Sequence, residues 1–316
     1  MSFFNMSFLY WLEGLRTPFF DKVFSAVTLL GEETLFMVVA MLVFWCIDKR
    51  KGYFLLYISF LGALVNGFIK LLFCIPRPWV ADSKFTIVES ARKAATGYSF
   101  PSGHTQSAGG LFLGLARQSK RLWFILVCSV LVLLVGLSRM YLGVHYLADV
   151  LVSLGTSLLM VLLFAPLFQK AWDDKRWFIL ILGVLIAIGA SLILYAEFGK
   201  LPEHAIAEFT AECVKSAYTM FGASLGLVLV LWLEQRYIRF STKAVWWAQL
   251  LKVAIGLGLV IAARMLLKNP LLKLFNSHYT ADMLRYLVMV LLGGAVWPMS
   301  FRLFEKLGKP KAANAA

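Results

Sequence analysis

Near-continuous apolar runs of about 20 residues recur along this 316-residue chain, and few features restrict a fold so tightly. Inside a bilayer no water pairs with backbone N–H and C=O groups, so each crossing segment must satisfy its own as a helix. Nine runs meet this description: 33–47, 53–74, 102–118, 122–139, 145–168, 177–198, 213–234, 246–267 and 283–303. A soluble protein of this length has no need of 60% hydrophobic residues with only 15% charged. The expected fold class is therefore all-α, a polytopic membrane helix bundle of about nine transmembrane helices.

Outside the runs, residues 1–30 hold two short amphipathic pieces interrupted by Pro18, expected to lie in the interface rather than to span. The N-terminus lacks a basic region and a small-residue cleavage site, so no cleavable signal is expected. The tail 307–316, rich in Lys, Pro and Ala, is expected to be disordered. Between them the chain divides into an expected core, 31–170, and an additional four-helix membrane region, 171–306. The net charge of +14 does not point to nucleic acid, because no contiguous basic domain exists. The basic residues instead separate by loop: sixteen fall in one alternating set of connections and six in the other, leaving out Arg77 and Arg139. The basic-rich set should be cytoplasmic, which places the N-terminus outside and the C-terminus inside. Cys46, Cys74, Cys128 and Cys213 lie in or at the ends of apolar runs with no CxxC pair, and read as small apolar residues.

Three short blocks stand where one run ends or the next begins. In the first, Lys70-x6-Arg77-Pro78, the prolines at 76 and 78 stop a helix near Cys74, with Lys70 about one turn inside and Arg77 just beyond. Both can reach one anion at the membrane surface, although alone they also match a snorkelling Lys and an ordinary flanking Arg. In the second, Pro101-Ser102-Gly103-His104, Ser102 is a natural helix cap and Gly103 allows close backbone approach. A helix start offers free N–H groups and partial positive charge to a phosphate, with His104 beside it. An ordinary capped helix with an interfacial His is the other reading. In the third, Ser138-Arg139-x5-His145-x3-Asp149, the last two share a helical face and can pair. A carboxylate on one imidazole nitrogen fixes the tautomer and leaves the other free to attack. Under the charge bias all three blocks fall on the extracytoplasmic side.

The order and spacing of the blocks resemble the type 2 phosphatidic acid phosphatase family, related to the vanadium haloperoxidases, over roughly Leu55 to Phe168. None of the eleven fixed positions departs from the pattern. The resemblance implies that His145 is a nucleophile forming a phosphohistidine, with Asp149 its orienting partner. It implies that His104 protonates the leaving oxygen and then activates water. Lys70, Arg77, Ser102, Gly103 and Arg139 match the family's phosphate-binding set. Three cations and amide donors can neutralise a phosphoryl group without Mg²⁺, and no carboxylate cluster suggests a metal, so neither metal nor cofactor is expected.

The expected function is a membrane phosphatase acting on a lipid phosphate or an isoprenoid diphosphate, with membrane lipids as its surroundings and no nucleic-acid partner. Its layout resembles the sphingosine-1-phosphate phosphatase and glucose-6-phosphatase branches, which keeps a small soluble sugar phosphate open as substrate. A non-enzymatic lipid-phosphate binder or transporter on the same scaffold is the reading from another class. The absence of eukaryotic sorting signals favours a bacterial cell membrane. His204 and His278 are expected as solvated loop residues, and Lys215, Lys252, Arg264 and Arg285 mostly as snorkelling cations.

Overall fold

The computed structural model describes residues 4–307, and no strand forms among them. All nine predicted segments are helical. The predicted tail lies, apart from Leu307, outside the described residues.

Helix α1 (Ser7–Gly14) and α2 (Pro18–Thr28) come first; Thr17 caps α2, its hydroxyl accepting from Phe20 N at 3.3 Å, with Pro18 at the first helical position. A 3-10 turn, Leu29–Gly31, leads into α3 (Glu33–Leu42), which ends in a π turn, Val43–Ile47. Asp48 then caps α4 (Lys49–Phe73) through Arg50 N and Lys51 N. Cys74 ends α4 in the left-handed region at φ 47°, where Pro76 and Pro78 forbid a regular continuation. After the single turn α5 (Pro78–Ala81), the chain is irregular up to Ser102 except for a 3-10 turn at Glu89–Ala91.

Helix α6 (Gly103–Ala108) passes through a π turn, Gly109–Leu113, into α7 (Gly114–Arg117). Next come α8 (Leu122–Tyr141) and α9 (Leu147–Ala171), then α10 (Lys175–Phe198) and α11 (Ala207–Leu233), the last running on as a π turn to Ile238. The remaining helices are α12 (Trp246–Leu266), α13 (Lys268–Leu274) and α14 (Thr280–Leu291), with α15 (Trp297–Met299) and α16 (Phe301–Lys306) continuing α14 after a π turn.

Seven helices are long and apolar enough to cross a membrane, and Pro18–Gly31 with Glu33–Ile47, bent by 50°, make an eighth if taken as one span. The predicted span 102–118 is instead a helix in three pieces of six, five and four residues. At 1.5 Å per residue it covers roughly 22 Å, short of a hydrocarbon core of about 30 Å.

Helix α4 runs through the middle of the bundle against α3, α9, α10 and α11. Its Tyr57 packs on Phe164 and Phe168 of α9 and donates to Ile181 O at 3.0 Å on α10. A Cβ at Gly109 would lie 2.4 Å from Ser157 Oγ, so glycine is what lets the π turn of α6 press on α9. Large apolar side chains such as Leu126, Val130, Leu250 and Leu259 point outward from α8 and α12, as a lipid-facing surface requires. The two N-terminal helices are tied to one end of α8: Arg16 Nε donates to Tyr141 O at 3.0 Å, and Tyr141 donates to Asp21 Oδ1 at 3.0 Å.

Candidate active site

The ends of α4, α6, α8 and α9 meet on one side of the bundle, and the three sequence blocks meet with them. Arg77, just past the end of α4, uses its whole fork. Nε donates to Gly97 O at 3.0 Å, Nη2 to Thr96 O at 2.6 Å, and Nη1 to Val144 O at 3.0 Å. The same Nη1 stands 3.0 Å from His145 Nε2. Lys70 Nζ donates to the carbonyl of Tyr98. Three consecutive carbonyls, 96–98, therefore hold the cations of the first block. Ser99 N–H donates to Ile75 O at 2.9 Å and pins that stretch against the exit of α4.

In the second block Ser102 begins α6 as its cap. Its hydroxyl accepts from Thr105 N at 3.4 Å and Thr105 Oγ1 at 2.9 Å, and its own N–H donates to Asp149 O at 3.2 Å. Its side chain thus turns into the helix. Gly103 faces open space, with nothing within 4 Å of the position a Cβ would take. The His104 ring projects from the first turn, and its buried Nε2 has no hydrogen-bond partner.

The third block closes the site. Arg139, 1% exposed at the end of α8, donates from Nη1 to Thr28 Oγ1 at 2.8 Å, while Nε and Nη2 remain unpartnered. Gly143, at φ +80°, makes the turn from α8 towards α9; a Cβ there would stand 2.6 Å from Arg16 Nη2 and 3.0 Å from Thr86 O. His145 Nδ1 lies 2.9 Å from Asp149 Oδ2. That oxygen also accepts from Ser99 Oγ at 2.5 Å and Tyr146 N at 2.9 Å. A carboxylate oxygen ringed by donors accepts from Nδ1–H, so Nε2 carries the lone pair, and the Arg77 N–H directed at it agrees. Burial, then the guanidiniums of Arg77 and Arg139, push the His145 pKa well below the ordinary 6.5 and keep the ring neutral.

No carboxylate lies within ion-pair distance of Lys70, Arg77 or Arg139 among the described residues. Carbonyls and one hydroxyl position them, so none is tied up in a contact ion pair. All three line one cavity of about 540 Å³, together with Gly103, His104 and His145. Ser102 and Asp149 stand behind its wall. Among the described residues no three His, Cys, Asp or Glu side chains group so as to hold a metal ion.

Several parts of this arrangement lie outside the three blocks. Ser99 on Asp149, Thr28 on Arg139 and the carbonyls 96–98 have no motif of their own. Only the Ser at 99, close before a helix start rich in catalytic residue types, offered a signal. Arg264 does not simply snorkel: it lines the same cavity. Lys252 is fully buried, its Nζ 4.4 Å from the Phe301 ring. His204 and His278 are exposed, as expected of loop residues.

A dihydrosphingosine 1-phosphate phosphatase of Schizosaccharomyces pombe is 30% identical over 190 residues, covering 55% of this chain and 45% of the relative. An undecaprenyl-diphosphatase of Bacillus subtilis is 35% identical over 103 residues, 33% of this chain and 50% of the relative. Phosphatidylglycerophosphatase B of the same organism is 26% identical over 175 residues, 51% of this chain and 79% of the relative. The chain thus spans about half the length of the first two. No solved structure matches it. The model of the PAP2 superfamily matches residues 51–173, which hold all three blocks, and that of the PAP2 superfamily phosphatase transmembrane extension matches 218–310. With both parts of the bundle matched under one description, and with the blocks meeting at one cavity, this multi-pass membrane protein belongs to the PAP2 superfamily.

Proposed function

We propose that the protein is an integral membrane phosphatase that hydrolyses a lipid phosphate or an isoprenoid diphosphate through a phosphohistidine. One observation carries the reading: His145 presents a neutral Nε2 beside Arg77 in a cavity where Arg139 and His104 keep unpartnered nitrogen atoms. A phosphate in that space receives Lys70, Arg77 and Arg139 on its equatorial oxygens, with the first N–H groups of α6 at Gly103 and His104. Ser102 contributes by holding the start of α6. Arg77 Nη1 turns from Nε2 to the phosphate, which frees the lone pair for in-line attack on phosphorus.

The P–O bond to the lipid breaks as the N–P bond forms, and His104, held as the imidazolium by the bound phosphate dianion, delivers its Nε2 proton to the departing oxygen and is left neutral. Asp149 steadies the imidazolium that results. In the second half His104 takes a proton from water, which attacks the phosphohistidine and returns His145 to its starting state. No step calls on a metal ion or a cofactor.

The relatives are named for a sphingoid phosphate, an undecaprenyl diphosphate and a phosphatidylglycerophosphate, which supports a lipid substrate. Counting α6–α7 as a ninth, short crossing gives an extracytoplasmic N-terminus, a cytoplasmic C-terminus and a site on the extracytoplasmic face, in keeping with the loop charges. A bacterial cell membrane is the location we favour.

The test is hydrolysis of phosphatidate, a sphingoid phosphate, a polyprenyl diphosphate and glucose 6-phosphate by purified protein in detergent. Wild type should release phosphate from at least one lipid. His145→Ala should lower kcat at least about 1,000-fold, and His104→Ala should do so too. Normal rates in both folded variants would overturn the assignment, and glucose 6-phosphate as the preferred substrate would overturn the lipid reading.

A further inference from the structure

The cavity that holds the phosphate site does not stop there. It continues between α3 and α4 on one side and α11, α12 and α14 on the other, all five contributing to its wall. Its lining changes character with depth. On α4, Lys70 and Asn66 give way to Ala63 and Phe60; on α11, Glu212 and Ser216 give way to Met220 and Ala223. On α12, Arg264 gives way to Val260 and Leu257. Polar side chains thus come first on three helices and apolar ones a turn or two deeper, with Ser59 at the inner end. The stretch of α4 from Lys70 to Ser59, eleven rises of about 1.5 Å, sets a depth of roughly 16 Å.

Resting on the phosphatase reading, we infer that this space is an intramembrane chamber for the hydrocarbon chain of the substrate, and that α11, α12 and α14 are there to wall it. A phosphate occupies a small part of about 540 Å³, and the polar-to-apolar order of the lining is that of a lipid held head first. Advancing somewhat less than one C–C bond of 1.5 Å per carbon, roughly a dozen carbons fit the depth. Asn66 Nδ2 and Ser107 Oγ line the passage from head to tail; both are buried without partners, and the first polar atoms of a lipid backbone would satisfy them. Helix α12 is the wall best placed to admit a chain, since only 11% of its apolar window is buried in the protein against 50% for α11. The chain therefore leaves the bilayer and enters the protein.

Two measurements on the full-length protein in nanodiscs test this. In the first, kcat/KM is followed for monomeric alkyl phosphates from butyl to decyl. Each methylene taken from water into the chamber should raise it about fourfold. Val260→Trp, filling the chamber, should reduce the decyl-to-butyl ratio at least tenfold, while Leu259→Trp on the outer face keeps the wild-type ratio. Equal ratios in all three proteins would overturn the chamber. In the second, His145→Ala protein is irradiated with dodecyl phosphate carrying a diazirine at the chain end. Label should fall on Leu257, Val260 or Met289 and vanish with excess inorganic phosphate. Label on outward residues such as Leu251 and Ile255, or label indifferent to phosphate, would overturn it. Failure of wild type to hydrolyse any alkyl phosphate while the chamber is labelled would sink the phosphatase reading alone. Hydrolysis accompanied by outward label would sink the chamber alone.

Discussion

Arg77→Lys separates geometry from charge at this site. The substitution keeps the positive charge, so an account in which the cavity needs only its field foresees little change. The structure foresees a large one. Arg77 makes three hydrogen bonds to Gly97 O, Thr96 O and Val144 O and a fourth contact to His145 Nε2, and it joins the stretch before the second block to the turn before the third. A lysine has three donors on one atom and a different reach, and cannot span 96–97 and 144–145 at once. Each bond from a charged donor nets about 1.5–3 kcal/mol, and at least one buried carbonyl is left unpaired, so the expected loss of stability is about 3–5 kcal/mol. Losing one preorganised donor at a developing charge costs about 100- to 1,000-fold in kcat, and that is the expected fall. Hydrolysis of the preferred lipid in detergent, with thermal unfolding followed alongside, measures both. A folded Arg77→Lys protein within threefold of wild-type kcat/KM would show that the fork is dispensable.

Ser99→Ala removes one of three donors from Asp149 Oδ2 and should lower kcat about tenfold with KM within threefold; a raised KM at unchanged kcat would refute a positioning role for Ser99. The His145 pKa is depressed from 6.5, so both folded and unfolded chains are neutral there above that pH. Below it the unfolded chain binds a proton that the folded one does not, and stability should fall by up to about 1.4 kcal/mol per pH unit. His145→Gln should flatten that part of the denaturation profile between about pH 6.5 and 5, and identical slopes would refute the depression. Excess chelator should leave kcat within twofold, whereas strict dependence on added Mg²⁺ would refute a metal-free mechanism. Inorganic phosphate at about 100 times its Kd should stabilise the protein by about 2.7 kcal/mol, and Arg139→Met should abolish most of that gain.

The helices were legible because hydrocarbon enforces one rule, so apolar length translates directly into span: α10 at Lys175–Phe198 and α12 at Trp246–Leu266 lie within two residues of the stretches expected. The segment at 102–118 was harder, because hydropathy does not reveal that a helix is short and broken by a π turn. The blocks were legible as chemistry because prolines, a cap and an i, i+4 pair each dictate local geometry. What held them was not. Carbonyl oxygens carry no residue identity, so nothing in Thr96, Gly97 or Tyr98 announces that their backbones anchor Arg77 and Lys70. Thr28 meets Arg139 across more than a hundred residues, a distance no local pattern bridges. The chamber was equally invisible, since each of its walls is one face of a helix that reads as ordinary span.

Those anchors explain why the site is built where helices end. A buried cation needs donors' partners, and a carboxylate would supply them at the cost of cancelling its charge. Neutral carbonyls hold a guanidinium in place while leaving its field for a ligand, but in a helix interior every carbonyl is already engaged. Free carbonyls become available only where the chain is out of a helix, as it is at 96–98 and at Val144, and free N–H groups only where it enters one, as at Gly103. Exit and entry placed side by side give cations and amides facing a single point. Asp149 is spent on Nδ1 of His145, Ser99 and Tyr146 N and lies behind the cavity wall, while Glu32, Glu33 and Glu212, which line the cavity, stay outside ion-pair distance of the three cations. A phosphate entering this cavity meets three cations free of contact ion pairs and an imidazole whose lone pair points at it, all gathered where helices end and begin.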